Sequence, residues 1–217
     1  MSARDRILER VRHALGRTEP LAAAQLDSVQ AKLRIHPRGV LPTMQWEPLA
    51  QFRSRCLALA STFDEVPRLE AVPHAVAQYL SANELPRVAV CWPELAGLDW
   101  SGSGLAITAR PAKGDDLVGI TGAYCAIAET GTLMLLSGAT THAATSLLPE
   151  THIALVPASR VVRCMEDAWD RLRSERGVLP RQVAFVSGPS RTADIEMTLV
   201  LGIHGPYRVH VILLTDL

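Results

Sequence analysis

Cysteine is scarce in this chain of 217 residues, and the four that occur are scattered: Cys56, Cys91, Cys125 and Cys164 lie more than thirty residues apart. No pair has the close spacing of a zinc ribbon, a redox dithiol or an iron–sulfur ligand run. Their apolar neighbours, as in Ala-Val-Cys91-Trp and Ala-Tyr-Cys125-Ala, predict buried, reduced thiols. Charge of one sign is missing too. Lys plus Arg equals Asp plus Glu at 22 each, so no global field holds a polyanion and a nucleic-acid role is not expected. No run of about 18 apolar residues is present to span a membrane. The amino terminus, Met-Ser-Ala-Arg-Asp-Arg, is charged from the start and lacks the apolar core of a secretory signal. The expectation is a soluble, cytoplasmic protein. A Walker loop, a dinucleotide fingerprint and a nucleophile elbow are all absent. His142, His152, His204 and His210 never pair at helical metal-ligand spacing, so no metal site is expected.

What is present is ordinary globular material, 48% hydrophobic and 20% charged, and enough for one substantial core or two small ones. Residues 1–44 read as a basic amphipathic helix followed by an arm. Ser2-Ala3-Arg4-Asp5 has the form of a capping box, Ile7, Val11 and Leu15 follow at four-residue intervals, and Gly16 can end the helix. From Thr18 to Thr43 the periodicity disappears, which predicts little regular structure.

Residues 45–217 read as an α/β domain. Trp46, Leu49, Phe52, Cys56, Leu59 and Phe63 share one helical face, and Val72, Val76 and Leu80 mark a second helix opened near Pro73. Arg87–Trp92 is a short buried strand, and Leu105–Thr108 suggests another. Leu117–Thr121, Thr132–Leu136, His152–Val156, Gln182–Val186 and Tyr207–Leu214 follow as strands. A helix capped by Ser159 is expected to carry Val161, Met165, Trp169 and Leu172 and to stop at Gly177. Thr192–Leu201 fits a strand or a helix equally. Helix and strand alternation of this kind predicts an open sheet flanked by helices.

Three segments combine glycine with polar residues at the ends of apolar runs, where ligands bind in open α/β sheets. In the first, Gly119, Gly122 and Gly131 allow unusual backbone or a close ligand approach, with Thr130 and Thr132 beside them. Glu129 there is a lone carboxylate in a weakly polar stretch, suited to a general base or an acyl-accepting nucleophile. It is equally suited to holding a turn through loop amides. The second runs Ser187-Gly188-Pro189-Ser190-Arg191-Thr192-Ala193-Asp194. Exposed amides, hydroxyls and a two-pronged guanidinium make an anion cradle, or else Asp194 pairs with Arg191 in a capped turn. The third is Gly202-Ile-His204-Gly205-Pro206, where His204 is a general acid or base, or a structural histidine.

At these residues the sequence resembles a known family. Ala126–Leu133, Ser146–Val156, Ser187–Glu196 and Gly202–Pro206 match, in order and spacing, the LutC/YkgG family, also called the LUD domain. The resemblance covers about the last hundred residues closely, and the amino-terminal half only in plan. It implies an open sheet similar to those of CoA transferases and ribose-phosphate isomerase (NagB/RpiA-type), flanked by helices and carrying an N-terminal helical arm. It also implies a role in oxidation of L-lactate to pyruvate beside two iron–sulfur partner proteins, with the clusters on those partners and no cofactor on this chain. Glu129-Thr130-Gly131 looks like the Glu-x-Gly signature of CoA transferases, whose glutamate accepts the acyl group. A stand-alone CoA-transferase-like or phosphosugar-processing enzyme using Glu129 is therefore an alternative, as is a non-catalytic module that binds a small carboxylate. One departure stands out: relatives often carry arginine just before Ser-Leu-Leu-Pro, where this chain has His142-Ala143.

Overall fold

A computed structural model describes residues 2–17, 22–192 and 200–217 and divides into two compact units, Met1–Met44 and Gln45–Leu217. The first holds α1 (Ala3–Ala14) and α2 (Ala23–Ile35). The capping box at the start of α1 forms as its residues imply: the Asp5 amide donates to Ser2 Oγ at 3.2 Å, and the Ser2 amide donates to Asp5 Oδ2 at 2.9 Å. Helix α2 corrects the expectation of an arm without regular structure. Its apolar stripe is only Leu26, Val29 and Leu33, too sparse to announce a period, while its alanines, glutamines and lysine have high helix propensity. His36, with φ 46°, and Pro37 end it. Neither helix buries a side chain.

The second unit opens with α3 (Pro48–Ala58), where Pro48 occupies the first turn and Glu47 accepts the Ala50 amide at 2.9 Å. The chain then turns through Ala60 at φ 65° into β1 (Thr62–Val66). Phe63 therefore lies on a strand and not on the helix, although its edge-to-face contact with Phe52, 6.0 Å between centroids, keeps it beside the α3 face. Next come α4 (Val72–Ala82), β2 (Val88–Cys91), β3 (Ala106–Ala109), β4 (Val118–Gly122), β5 (Cys125–Ile127) and β6 (Thr132–Leu136). A short α5 (Ala144–Leu147) leads to β7 (Thr151–Pro157) and β8 (Val161–Val162). Helix α6 spans Met165–Glu175, so it begins six residues after Ser159, the expected cap. The β-branched pair Val161 and Val162 joins β5 as a parallel strand in place of a first helical turn. The chain closes with β9 (Val183–Val186), β10 (Arg191–Thr192), β11 (Val200–Leu201) and β12 (Arg208–Leu214).

Six strands form an open parallel sheet in the order β1-β12-β7-β4-β2-β3. A second sheet, β8-β5-β6-β9, is mainly antiparallel, and β10 pairs antiparallel with β11. Alternation along the strands sorts the core into layers. Ile153, Leu155, Ile212 and Leu214 meet Val72, Val76 and Leu80 of α4. Ala154, Val156, Val211 and Leu213 point the other way, toward Phe52 and Cys56 of α3 and toward Ala126, Leu133 and Leu135 of the second sheet. Cys125, Ile127, Met134 and Leu136 cover the outer face of that sheet beneath Ala168 and Leu172 of α6. Each fully buried Leu or Ile in these layers contributes about 1.5–3 kcal/mol of transfer free energy. The expected class, an open α/β sheet flanked by helices, is the one observed.

Candidate functional site

The three glycine-rich segments are brought together on the carboxyl-terminal turn of α3, with Gly119 and Gly122, both on β4, as the exceptions. Gly131 takes φ +66° in the turn between β5 and β6, and a Cβ there would stand 2.9 Å from the Cys56 amide nitrogen. Gly188 takes φ +78°, and a Cβ there would stand 2.7 Å from the Leu59 carbonyl oxygen. Only glycine allows both backbones this close to the helix. Thr130 and Thr132 share a hydroxyl hydrogen bond of 2.7 Å, and Thr132 shares another of 2.7 Å with Ser187. Three hydroxyls thus link the first segment to the second. The Ser190 amide donates to the Pro206 carbonyl at 2.9 Å, and the Gly202 amide to the Ser190 carbonyl at 3.0 Å. These bonds seal the third segment onto the second.

Glu129 is half-buried beside this turn, and its amide donates to the Arg163 carbonyl at 3.0 Å. His204 is exposed, and Thr192 is buried on β10. Arg191 donates from Nη2 to the Leu59 carbonyl at 2.8 Å. Asp194, the expected partner of Arg191 in the capped-turn reading, lies outside the described residues, as does most of the ambiguous stretch before Val200. Arg191 and Arg208 border a recess of about 230 Å³ together with Thr62, Tyr79, Asn83 and Tyr207. Thr62 opens β1 and Arg208 opens β12, so this recess lies at the amino ends of the parallel strands.

Gly122 is elsewhere, at the carboxyl end of β4. There it borders a different feature, whose residues the sequence reading did not single out. A crevice of about 240 Å³ is lined by Trp92 and Glu94 after β2, Tyr124 after β4, and Arg160, Glu175 and Arg176 around α6. The chain passes from β2 to β3 in one direction across the sheet, and from β4 through β7 to β12 in the other. Its order reverses between β2 and β4, which is where open parallel sheets hold ligands. Leu136, at the end of β6, also lines the crevice, whereas Thr132 at the start of β6 belongs to the hydroxyl chain. About 13 Å of strand separates the two. A strand-end rule applied to Cys91-Trp92-Pro93-Glu94 would have flagged the first wall. The remaining walls come from segments with no shared motif.

Several titratable groups are buried in the core layers. Burial pushes Cys56 up to about 12 and Cys91 and Cys125 up to about 11. All four cysteines are buried and free, as their neighbours predict. His152 is fully buried, shares a 2.8 Å hydrogen bond between Nε2 and Thr121 Oγ1, and is pushed down to about 4 by desolvation. His210 is stacked at 3.9 Å on Tyr79 and shares a 2.9 Å bond between Nδ1 and Thr62 Oγ1. Desolvation lowers it to about 4 against the opposing pull of Asp64. No helix among the described residues is long and apolar enough to cross a membrane.

Comparison with known proteins bears on the same segments. Residues 112–214 match the LUD domain, a span that contains all four motif segments. Lactate utilization protein C of Bacillus subtilis (strain 168) is 44% identical over 102 residues, 46% of this chain and 42% of that protein. Lactate utilization protein C 1 of Bacillus mycoides (strain KBAB4) is 44% identical over 108 residues, 48% of this chain and 46% of the relative. The chain thus spans less than half the length of the curated relatives it matches. A crystal structure of a DUF162 family protein from Deinococcus radiodurans is similar with a TM-score of 0.58 and 25% identity, over 79% of this chain and 99% of the other. Residues 112–214 thus match the LUD domain, and over much of the same stretch the chain is similar to lactate utilization protein C.

Proposed function

We propose that this protein serves lactate utilisation in the cytoplasm as a subunit of the lactate utilization protein C type, beside two iron–sulfur partner proteins. In this reading it binds a small carboxylate or phosphate-bearing ligand at the Arg191 recess. The observation that carries the reading is the convergence of Arg191, from the motif Ser190-Arg191-Thr192, with Arg208 around one recess of about 230 Å³. A guanidinium presents five N–H donors in a rigid fork, and among the described residues the Leu59 carbonyl takes one of them. The rest suit the two oxygens of a carboxylate. Oxidation of L-lactate to pyruvate releases two electrons and two protons. In this reading the Cα–H and O–H bonds of lactate break, clusters on the partners take the two electrons, Glu129 or His204 accepts one proton, and the other passes to solvent.

Calorimetry with L-lactate, pyruvate, inorganic phosphate and coenzyme A tests the binding step. Arg191→Lys keeps the charge but loses the fork, so it weakens binding about ten- to a hundredfold, and Arg191→Ala weakens it further. Binding of either variant at the affinity of the parent protein overturns the recess reading and makes Arg191 a clamp for the end of α3.

A further inference from the structure

The crevice at the carboxyl ends of β2 and β4 has walls that are held together without a ligand. The Glu175 carboxylate accepts from Arg160 Nη1 at 2.7 and 2.8 Å, from Arg171 Nε at 3.1 Å and from the Tyr124 hydroxyl at 2.9 Å. The Arg160 guanidinium also lies over the Tyr124 ring, 5.5 Å from its centroid. Trp92 is 4% exposed and forms the floor, fixed by donation from its Nε1 to the His142 carbonyl at 3.1 Å. Each charged group of this wall is paired, with one carboxylate shared between two guanidiniums.

Two charged groups on the lining are left over. Among the described residues, the Glu94 carboxylate and the Arg176 guanidinium, both on exposed residues at the rim of the crevice, have no hydrogen-bond or ion-pair partner. Glu94 sits directly over the bare face of Gly122, where a Cβ would stand 2.8 Å from its Oε1. Loss of water against this wall raises the Glu94 carboxyl above the usual carboxylate range. A partly dehydrated carboxylate without a donor gains most from a cationic one, because charge-assisted bonds are the strong ones. An ammonium group has three donors and the size to sit at such a point. Arg176, on the same crevice, offers the opposite charge.

We infer that this crevice binds a small zwitterion of the amino-acid type, with its amine on Glu94 and its acid group toward Arg176. The site is separate from the Arg191 recess at the other end of the parallel strands. Its ligand differs from lactate in the group that matters, since lactate has a hydroxyl where alanine has an ammonium.

The test is calorimetry of the full chain against the standard L-amino acids. The amino acid that binds is then measured as its N-acetyl derivative and as its carboxamide. Binding that is lost on acetylation, weakened in the carboxamide, and weakened about ten- to a hundredfold by Glu94→Gln supports the site. Arg191→Ala leaves this binding unchanged while abolishing that of lactate or phosphate, so the two sites fail independently. Far-UV circular dichroism and an unchanged melting midpoint establish that the isosteric Glu94→Gln variant is folded. No binding by any standard amino acid overturns the proposal, and so does equal binding by the Gln variant or the acetylated derivative.

Discussion

At the amino ends of β1 and β12 the protein is built from backbone: Gly131 and Gly188 press against α3, and amides of Ser190 and Gly202 close the loops on one another. At the carboxyl ends of β2 and β4 it is built from side chains, with Glu175 gathering Tyr124, Arg160 and Arg171 from three elements. The contrast has consequences for both stability and binding. Backbone packing at a positive-φ glycine tolerates no added atom, whereas the end of a charged side chain can swing aside. The amino-end cluster should therefore be the stiffer and more mutation-sensitive region, and the crevice the more adaptable one.

The largest expected effect concerns both ends at once. His210 bonds Thr62 of the recess, and His152 bonds Thr121, which precedes Gly122. Both rings fold in the neutral form, with values lowered from 6.5 to about 4. An unfolded chain takes up protons below pH 6.5, while the folded one resists until about 4. Their contribution is complete above pH 6.5 and is lost as pH falls from 6.5 to 4, on the order of 3 kcal/mol for each ring. Urea unfolding between pH 7.5 and 4.5 should show this fall, and His152→Gln should remove about half of it. An unaltered slope in that variant would mean that carboxylates carry the acid response.

The next effect separates the two ends. Gly131→Ala places a side chain in the left-handed region and within 2.9 Å of the Cys56 amide nitrogen, so α3 must shift. A loss of about 3 kcal/mol is expected. Gly122→Ala is crowded by the flexible end of Glu94 and otherwise makes ordinary contact with the Trp92 ring, so it should cost less than about 1 kcal/mol. Equal costs, measured by urea denaturation, would erase the distinction between a backbone-built and a side-chain-built end.

The same distinction explains what was readable in the sequence. Glycines required by positive φ sit at fixed positions in contiguous motifs, so Gly131, Gly188 and their hydroxyl neighbours stand out along the linear chain. Their convergence on α3 does not, because Leu59 and Cys56 lie more than seventy residues upstream of Gly131. The crevice was illegible for a stronger reason. Trp92, Tyr124, Arg160 and Glu175 come from four segments that share no spacing, and only the switch between β2 and β4 unites them. Strands with β-branched or apolar runs, β2, β4, β6, β7 and β12, were legible. Edge strand β1 was hidden because Phe63 continues the helical spacing of α3. Helix α2 was hidden because three apolar residues among alanines and glutamines leave almost no amphipathic signal.

A smaller effect sharpens the role of Arg191 itself. Its bond to the Leu59 carbonyl, 2.8 Å on an exposed side chain, should contribute about 1 kcal/mol to stability. Arg191→Lys should lose most of that while its loss of anion affinity is larger. A variant that loses stability but no affinity would assign the residue to the fold alone.

The smallest expected effect is on removing residues 1–44. The three clusters that hold the α/β unit together draw their side chains from positions 46 to 214, and α1 and α2 bury none of their own. Deletion therefore takes no residue from any core layer, and residues 45–217 should unfold cooperatively with a stability within about 0.5 kcal/mol of the full chain. The binding proposed at both ends of the parallel strands should persist, because none of Arg191, Arg208, Glu94 and Arg176 is touched. What the deletion should alter is association. Ile7, Leu8, Val11 and Leu15 of the first unit are each more than a third exposed, beside Arg6, Arg10 and Arg12, a face that a partner with apolar and acidic groups would cover. Urea unfolding and light scattering of the two forms decide the matter. A large loss of stability would show that the first unit supports the core of the second, and the contrast between the two strand ends would then need to be redrawn with that support included.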